Sequence, residues 1–220
     1  MASEAHEAPA RRRLTVDERR AMLLELGLRL FGARGLDEVS VEDIAREAGV
    51  SAGLLYHYFG SKKEFHHEVT AHALGRLTAV TEPDPDRPPG ERLVTGLVAY
   101  LDYLRADTTG WSWLLRGGGS GDERMWAIGE AYRRSIEDWL FEALPPTART
   151  PLARVAVRGW IGSNTEMSLA WLDAGEPGRD DVVRLMVTVL VAALGAAGVD
   201  ARVLDALAVE AGAALGALAG

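Results

Sequence analysis

Apolar residues recur along this chain at intervals of three and four, and no stretch keeps the period of two that marks a strand. The first such segment, 16–33, puts Leu23, Leu26, Leu30 and Phe31 on one predicted inner face. In 41–48, Val41, Ile44, Ala45 and Ala48 share a face, Ser40 stands where an N-cap is wanted, and Asp43 adds negative charge to the first turn. Gly49 tolerates the left-handed conformation that stops a helix sharply, and Val50 plugs the corner. Ser51 then caps a second short helix in which Leu55 and Phe59 lie four apart. Ser61 and Glu64 have capping-box spacing ahead of a further helix bearing Phe65, Val69 and Ala73.

Residues 82–90, EPDPDRPPG, interrupt the pattern. Beyond them helices are predicted over 91–106, 109–116, 122–143, 150–173, 179–197 and 200–218, punctuated by Pro145-Pro146, by 175–178 and by Gly198. Gly117 to Gly121 reads as a flexible loop. The expected fold is all-α: an arm over 1–14, a three-helix domain over 15–80 containing a helix-turn-helix at 40–59, and a larger helical domain over 81–220.

Two short helices meeting at a glycine corner are the geometry that lays one helix in the major groove of DNA. The outward side of the second helix carries Ser51, Ala52, Gly53, Tyr56 and His57, small or polar residues suited to close approach. Lys62 and Lys63 follow at a helix N-terminus, where free amides and ammonium groups together suit a phosphate. They are the only lysines in the chain.

Over residues 16–77 the chain resembles the DNA-binding domain of the TetR family of transcriptional regulators. Leu30-Phe31, Gly35, Ile44-Ala45, Gly49-Val50-Ser51, Leu55-Tyr56, Phe59, Lys62 and Phe65 fall in the family's register. The resemblance implies that Ser40, Val41 and Glu42 approach the DNA backbone at the start of the first motif helix. It places Ser51, Ala52 and Gly53 near base edges, Tyr56 and His57 at backbone and base contacts, and Lys62 on a phosphate. Two positions depart from the pattern: the order Tyr56-His57-Tyr58-Phe59 moves the histidine, and Glu42 brings a carboxylate toward DNA.

A net charge of −8 over 220 residues is unusual for a DNA binder, but it is unevenly spread. From Arg11 to Ala79 there are 11 Lys and Arg against 10 Asp and Glu; the rest of the chain holds 13 against 22. Affinity must therefore come from oriented amides and a few local cations. There is no cysteine, so disulfide and thiol chemistry are excluded. The first residues lack an apolar signal core, and the apolar run 186–198 is short of the roughly 20 residues a bilayer needs, so a cytoplasmic protein without a membrane partner is expected. His66, His67 and His72 complete no ligand set, so no metal or cofactor is expected. No nucleophile–base pair or phosphate loop suggests an enzyme.

All six tryptophans lie in the second domain, accompanied by polar groups costly to bury unpaired. Tyr103, Trp111, Trp113, Trp126, Glu130, Trp160, Asn164 and Glu166 are the candidate lining of an aromatic small-molecule cavity. The competing arrangement is a solid core, which would make this half a helical interaction module without an effector. The segment 182–194 is apolar nearly all round, and Gly159 and Gly162 would let a second helix approach. Pairing these helices across a two-fold axis gives a four-helix bundle, the family's dimer interface. The expected function is a homodimeric regulator, a repressor released by an unknown effector, bound to an imperfect palindrome in double-stranded DNA.

Overall fold

The computed structural model describes residues 15–117 and 122–218. The N-terminal arm and most of the glycine loop expected from the sequence lie outside them. Among the described residues there are ten α-helices, one short 3-10 turn at Pro146–Ala148, and no strand. The helices are α1 (Val16–Arg34), α2 (Val41–Ala48), α3 (Ala52–Phe59), α4 (Lys62–Val80), α5 (Pro89–Ala106), α6 (Thr108–Leu115), α7 (Glu123–Ala143), α8 (Pro151–Ala174), α9 (Arg179–Ala196) and α10 (Ala201–Leu218).

The starts of α2 and α3 are built by the residues that the sequence marks for them, and α1 adds a cap of its own. Thr15 and Glu18 form a reciprocal capping box at α1, as do Ser40 and Asp43 at α2. Ser51 accepts the Leu54 N–H at α3. Gly49 ends α2 at φ 66° and ψ 33°, and its N–H returns to the α2 carbonyls. At α4 only half of the expected box forms: Ser61 accepts the Glu64 N–H at 3.1 Å, while the Glu64 carboxylate turns away to Arg124. A cross-element ion pair has displaced the local one.

The first core packs Leu23, Leu24, Leu28 and Phe31 of α1 against Ile44, Leu55, Phe59, Phe65 and Val69. Leu26 and Leu30, expected on that face, are only half-buried. Phe59 and Phe65 meet edge to face at 4.7 Å, which fixes α3 on α4. This core continues into Leu104, Trp111 and Leu114, so α1 to α4 rest on α5 and α6. The contact of α1 with α6 is close enough to need glycine on both sides. A Cβ at Gly32 would stand 2.6 Å from the Cα of Gly110.

The second core gathers α5, α7, α8, α9 and α10. Its helices are tied by Trp160, whose indole N–H donates to the Met186 carbonyl at 2.7 Å and joins α8 to α9. The Trp171 indole donates to the Pro177 carbonyl at 2.9 Å and closes the α8–α9 turn. One face of the α8–α9 pair is left uncovered. Leu152, Val155 and Leu185 are exposed there, and added Cβ atoms at Gly159 and Gly162 would meet nothing within 4 Å.

Candidate nucleic-acid interface and effector cavity

Leu55 and Phe59 anchor α3, so its other side is turned to solvent. Ser51, Gly53, Tyr56 and His57 are exposed, with Tyr56 at 48% and Ala52 half-buried. Ser40 and Glu42 are exposed at the start of α2. Val41 is not available: it is only 5% exposed and packs in the first core, so the expected DNA contact by its side chain is corrected. Its place in the apolar set Val41, Ile44, Ala45 already pointed inward.

Asp43 closes the α2 cap. Its carboxylate accepts from the Ser40 hydroxyl at 2.7 Å and backbone N–H at 3.1 Å, from Arg46, and from Arg34 at 3.1 Å. These bonds, the Ser40 hydroxyl first, hold its carboxyl well below the usual carboxylate range.

The two lysines part company. Lys63 turns back toward α7, with Nζ 3.5 Å from Asp122. Lys62, in the first turn of α4, makes no ion pair among the described residues and lies beside the α3 surface. Asp122 is also the N-cap of α7, accepting the Met125 N–H at 2.9 Å, and lies 2.9 Å from Nε2 of buried His67. The His67 bond first, then the Met125 amide, depresses its carboxyl strongly. Arg124 pairs with Glu64 across the same gap. The start of α4 is thus clasped to the start of α7. His72 bonds Glu25 at 3.0 Å, and no group of three metal-ligating side chains occurs among the described residues.

A cavity of about 770 Å³ opens between α4, α5, α7 and α8. That volume suits a drug-sized molecule. Of the expected lining residues, Trp126, Trp160 and Asn164 border it. The other five are corrected. Trp111 is buried at the α1–α6 contact, and Tyr103 packs on it at 5.4 Å. Trp113 stacks on Phe31 at 5.5 Å and on His66 at 5.4 Å. Glu130 is held by Arg158 and Arg134, which keep its carboxyl below the usual range, Arg158 contributing most. Glu166 is exposed on α8. Reading the sequence missed Arg92, Tyr100, Tyr132 and Trp139, which line the cavity, and the far half of α4, which floors it from Thr70 to Ala79. Burial pushes the Tyr100 hydroxyl up to about 12 and raises that of Tyr132, so both stay protonated.

Residues 23–69 match the family described as bacterial regulatory proteins, tetR family, and residues 89–193 match the tetracyclin repressor-like C-terminal domain. The chain belongs to the TetR family. It is a DNA-binding transcriptional regulator with an N-terminal helix-turn-helix domain and a C-terminal helical domain. It is 51% identical over 49 residues to the repressor KstR2 of Mycobacterium tuberculosis, 22% of this chain and 24% of that one. Both KstR2 and the regulator BetI of Agrobacterium fabrum, 54% identical over 46 residues, are covered for under a quarter of their length. A longer match, 24% identical over 172 residues, covers 75% of this chain and 77% of the activator FasR of Mycolicibacterium smegmatis. A crystal structure of a TetR-family regulator from Streptomyces coelicolor superposes with a TM-score of 0.72 at 28% identity, covering 91% of this chain and 90% of that one. No helix among the described residues is long and apolar enough to cross a membrane.

Proposed function

We propose that this TetR-family protein is a homodimeric repressor released from an imperfect palindrome by a small molecule held in the α4–α8 cavity. The observation that carries the reading is the course of α4. One unbroken helix of 19 residues, roughly 28 Å long, begins at Lys62 beside the DNA-reading surface and floors the cavity over its second half. A ligand that favours one cavity shape shifts the placement of the first turns by its differential affinity for the two arrangements. The 49-residue match to the repressor KstR2 supports repression as the sign.

In this reading Ser51, Ala52 and Gly53 face base edges, Tyr56 and His57 make backbone and base contacts, and Lys62 meets a phosphate. Ser40 and Glu42 border the backbone. Dimerisation is supported by the uncovered apolar face of α8 and α9. It is also required mechanically: α3 has eight residues, too few for a long site, so two copies read half-sites about 34–36 Å or a multiple apart.

The test is a fluorescence-anisotropy titration against the DNA upstream of the protein's own gene. Lys62→Ala is expected to weaken binding to every sequence alike and to make the salt slope shallower by about 0.9 for each phosphate no longer neutralised. Tyr56→Ala is expected to cost operator affinity. Unchanged binding by both variants would remove the contact assignment.

A further inference from the structure

Four buried atoms on the cavity lining lack hydrogen-bond partners among the described residues: Thr70 Oγ1, which can donate or accept, Asn164 Oδ1, Arg92 Nε and Trp139 Nε1. The last two are both donors. They are in contact, the Arg92 guanidinium lying over the Trp139 ring at 5.4 Å from its centroid, a cation–π arrangement. Arg92 stands in the first turn of α5, where the helix dipole opposes a cation, and it has no ion pair among the described residues. Nearby Asp84 feels its charge but hydrogen-bonds Arg87. A cation without a carboxylate partner and with an orphaned N–H, next to a second orphaned N–H, is an incomplete anion site.

The remaining charges on the lining do not complete it. Arg133 lies 3.5 Å from Glu130. Asp122 is committed to His67, Lys63 and the α7 cap. Glu82 is exposed at the rim. Across the cavity, Asn164 is 7% exposed and its Oδ1 lacks a partner. Its amide can turn over to donate or accept, so it does not select a charge. The wall between these points is apolar, formed among others by Leu74, Leu77, Leu97, Met125, Ile136 and Ile161.

We propose that the effector is an apolar monocarboxylate, its carboxylate received by the Arg92 and Trp139 N–H groups and its hydrocarbon body lying along α4 and α7. This rests on the reading of the cavity as the effector site. A cationic ligand would meet Arg92 with like charge. A neutral alcohol would accept the two N–H bonds but leave the guanidinium unneutralised.

Isothermal titration calorimetry of the full-length protein with decanoate, decanol and decylammonium tests it, on the wild type, Arg92→Gln and Trp139→Phe. The wild type is expected to prefer decanoate to decanol by about tenfold or more, the worth of one charge-assisted hydrogen bond. Arg92→Gln is expected to cut that preference to within about threefold through loss of decanoate binding, with decanol unchanged. Trp139→Phe is expected to weaken decanoate about fivefold and keep decanol within about twofold. Operator binding without ligand, measured alongside, certifies that each variant is folded. Equal affinity for decanol or decylammonium, no binding of decanoate, or a preference that survives Arg92→Gln would each overturn the assignment. If decanoate is preferred but operator DNA stays bound, the head-group site stands and the release mechanism fails. If decanol releases DNA as well as decanoate does, release stands and the head-group site fails.

Discussion

Replacing Gly32 with alanine inserts one methyl group where α1 crosses α6. The new Cβ would lie 2.6 Å from the Gly110 Cα, 2.7 Å from its nitrogen and 2.8 Å from the Thr109 carbonyl carbon. Every clashing atom is backbone, so no rotamer change relieves it. Carbon atoms settle at about 3.5–4.0 Å, and the two helices must therefore part by about 1 Å. Overpacking of this kind costs ~1–3 kcal/mol. In a chain of this size each kcal/mol lowers Tm by about 2–4 °C. Gly212→Ala on α10 is the matched control: its Cβ meets nothing within 4 Å, and alanine in a helix interior gains ~0.5–1 kcal/mol over glycine. Urea unfolding followed by far-ultraviolet circular dichroism, at one fixed protein concentration, reads both. If Gly32→Ala is as stable as the wild type, or moves in the same direction as Gly212→Ala, the close crossing of α1 on α6 is wrong.

Acid should expose the α2 cap. Asp43 has an ordinary value of 3.8 and is depressed in the folded chain, so the unfolded chain takes up the proton first. Its contribution is complete above the ordinary value and lost as pH falls below it toward the folded one. The urea midpoint of the wild type should therefore fall more steeply than that of Asp43→Asn from about pH 5 to about pH 2, and parallel curves would refute the cap's role. Val155→Glu and Leu185→Glu put a carboxylate on the uncovered α8–α9 face, and light scattering should then give the 23.7 kDa mass of one chain. Val209→Glu, on equally exposed α10, should leave the dimer mass intact; a monomer from that variant alone would move the interface.

The helices and the outward side of α3 were legible in the sequence because their causes are local. Ser40, Gly49, Ser51 and Ser61 act within four residues of where they stand, and the Leu55–Phe59 spacing fixes which side of α3 faces out. The half-formed box at Ser61 shows the limit, since Arg124, sixty residues away, draws Glu64 off the cap. The cavity lining was less legible for the same reason. A tryptophan carries no mark of whether it fills a core or borders a void. Trp111 and Trp113 went to the joint between the domains because Gly32 and Gly110 bring α1 and α6 together there. Arg92 and Trp139 stand far apart in the chain, and only the meeting of their side chains at the cavity edge reveals two unmatched donors side by side.

The length of α4 sets a mechanical gain. A rod roughly 28 Å long that pivots by about 5° at its cavity end sweeps Lys62 through about 2.4 Å. That is about three times the roughly 0.7 Å that separates a made from a broken phosphate hydrogen bond. In the symmetric pair proposed above the two sweeps would add, and a ligand-driven pivot of that size would put two reading heads out of step with the pitch of a duplex.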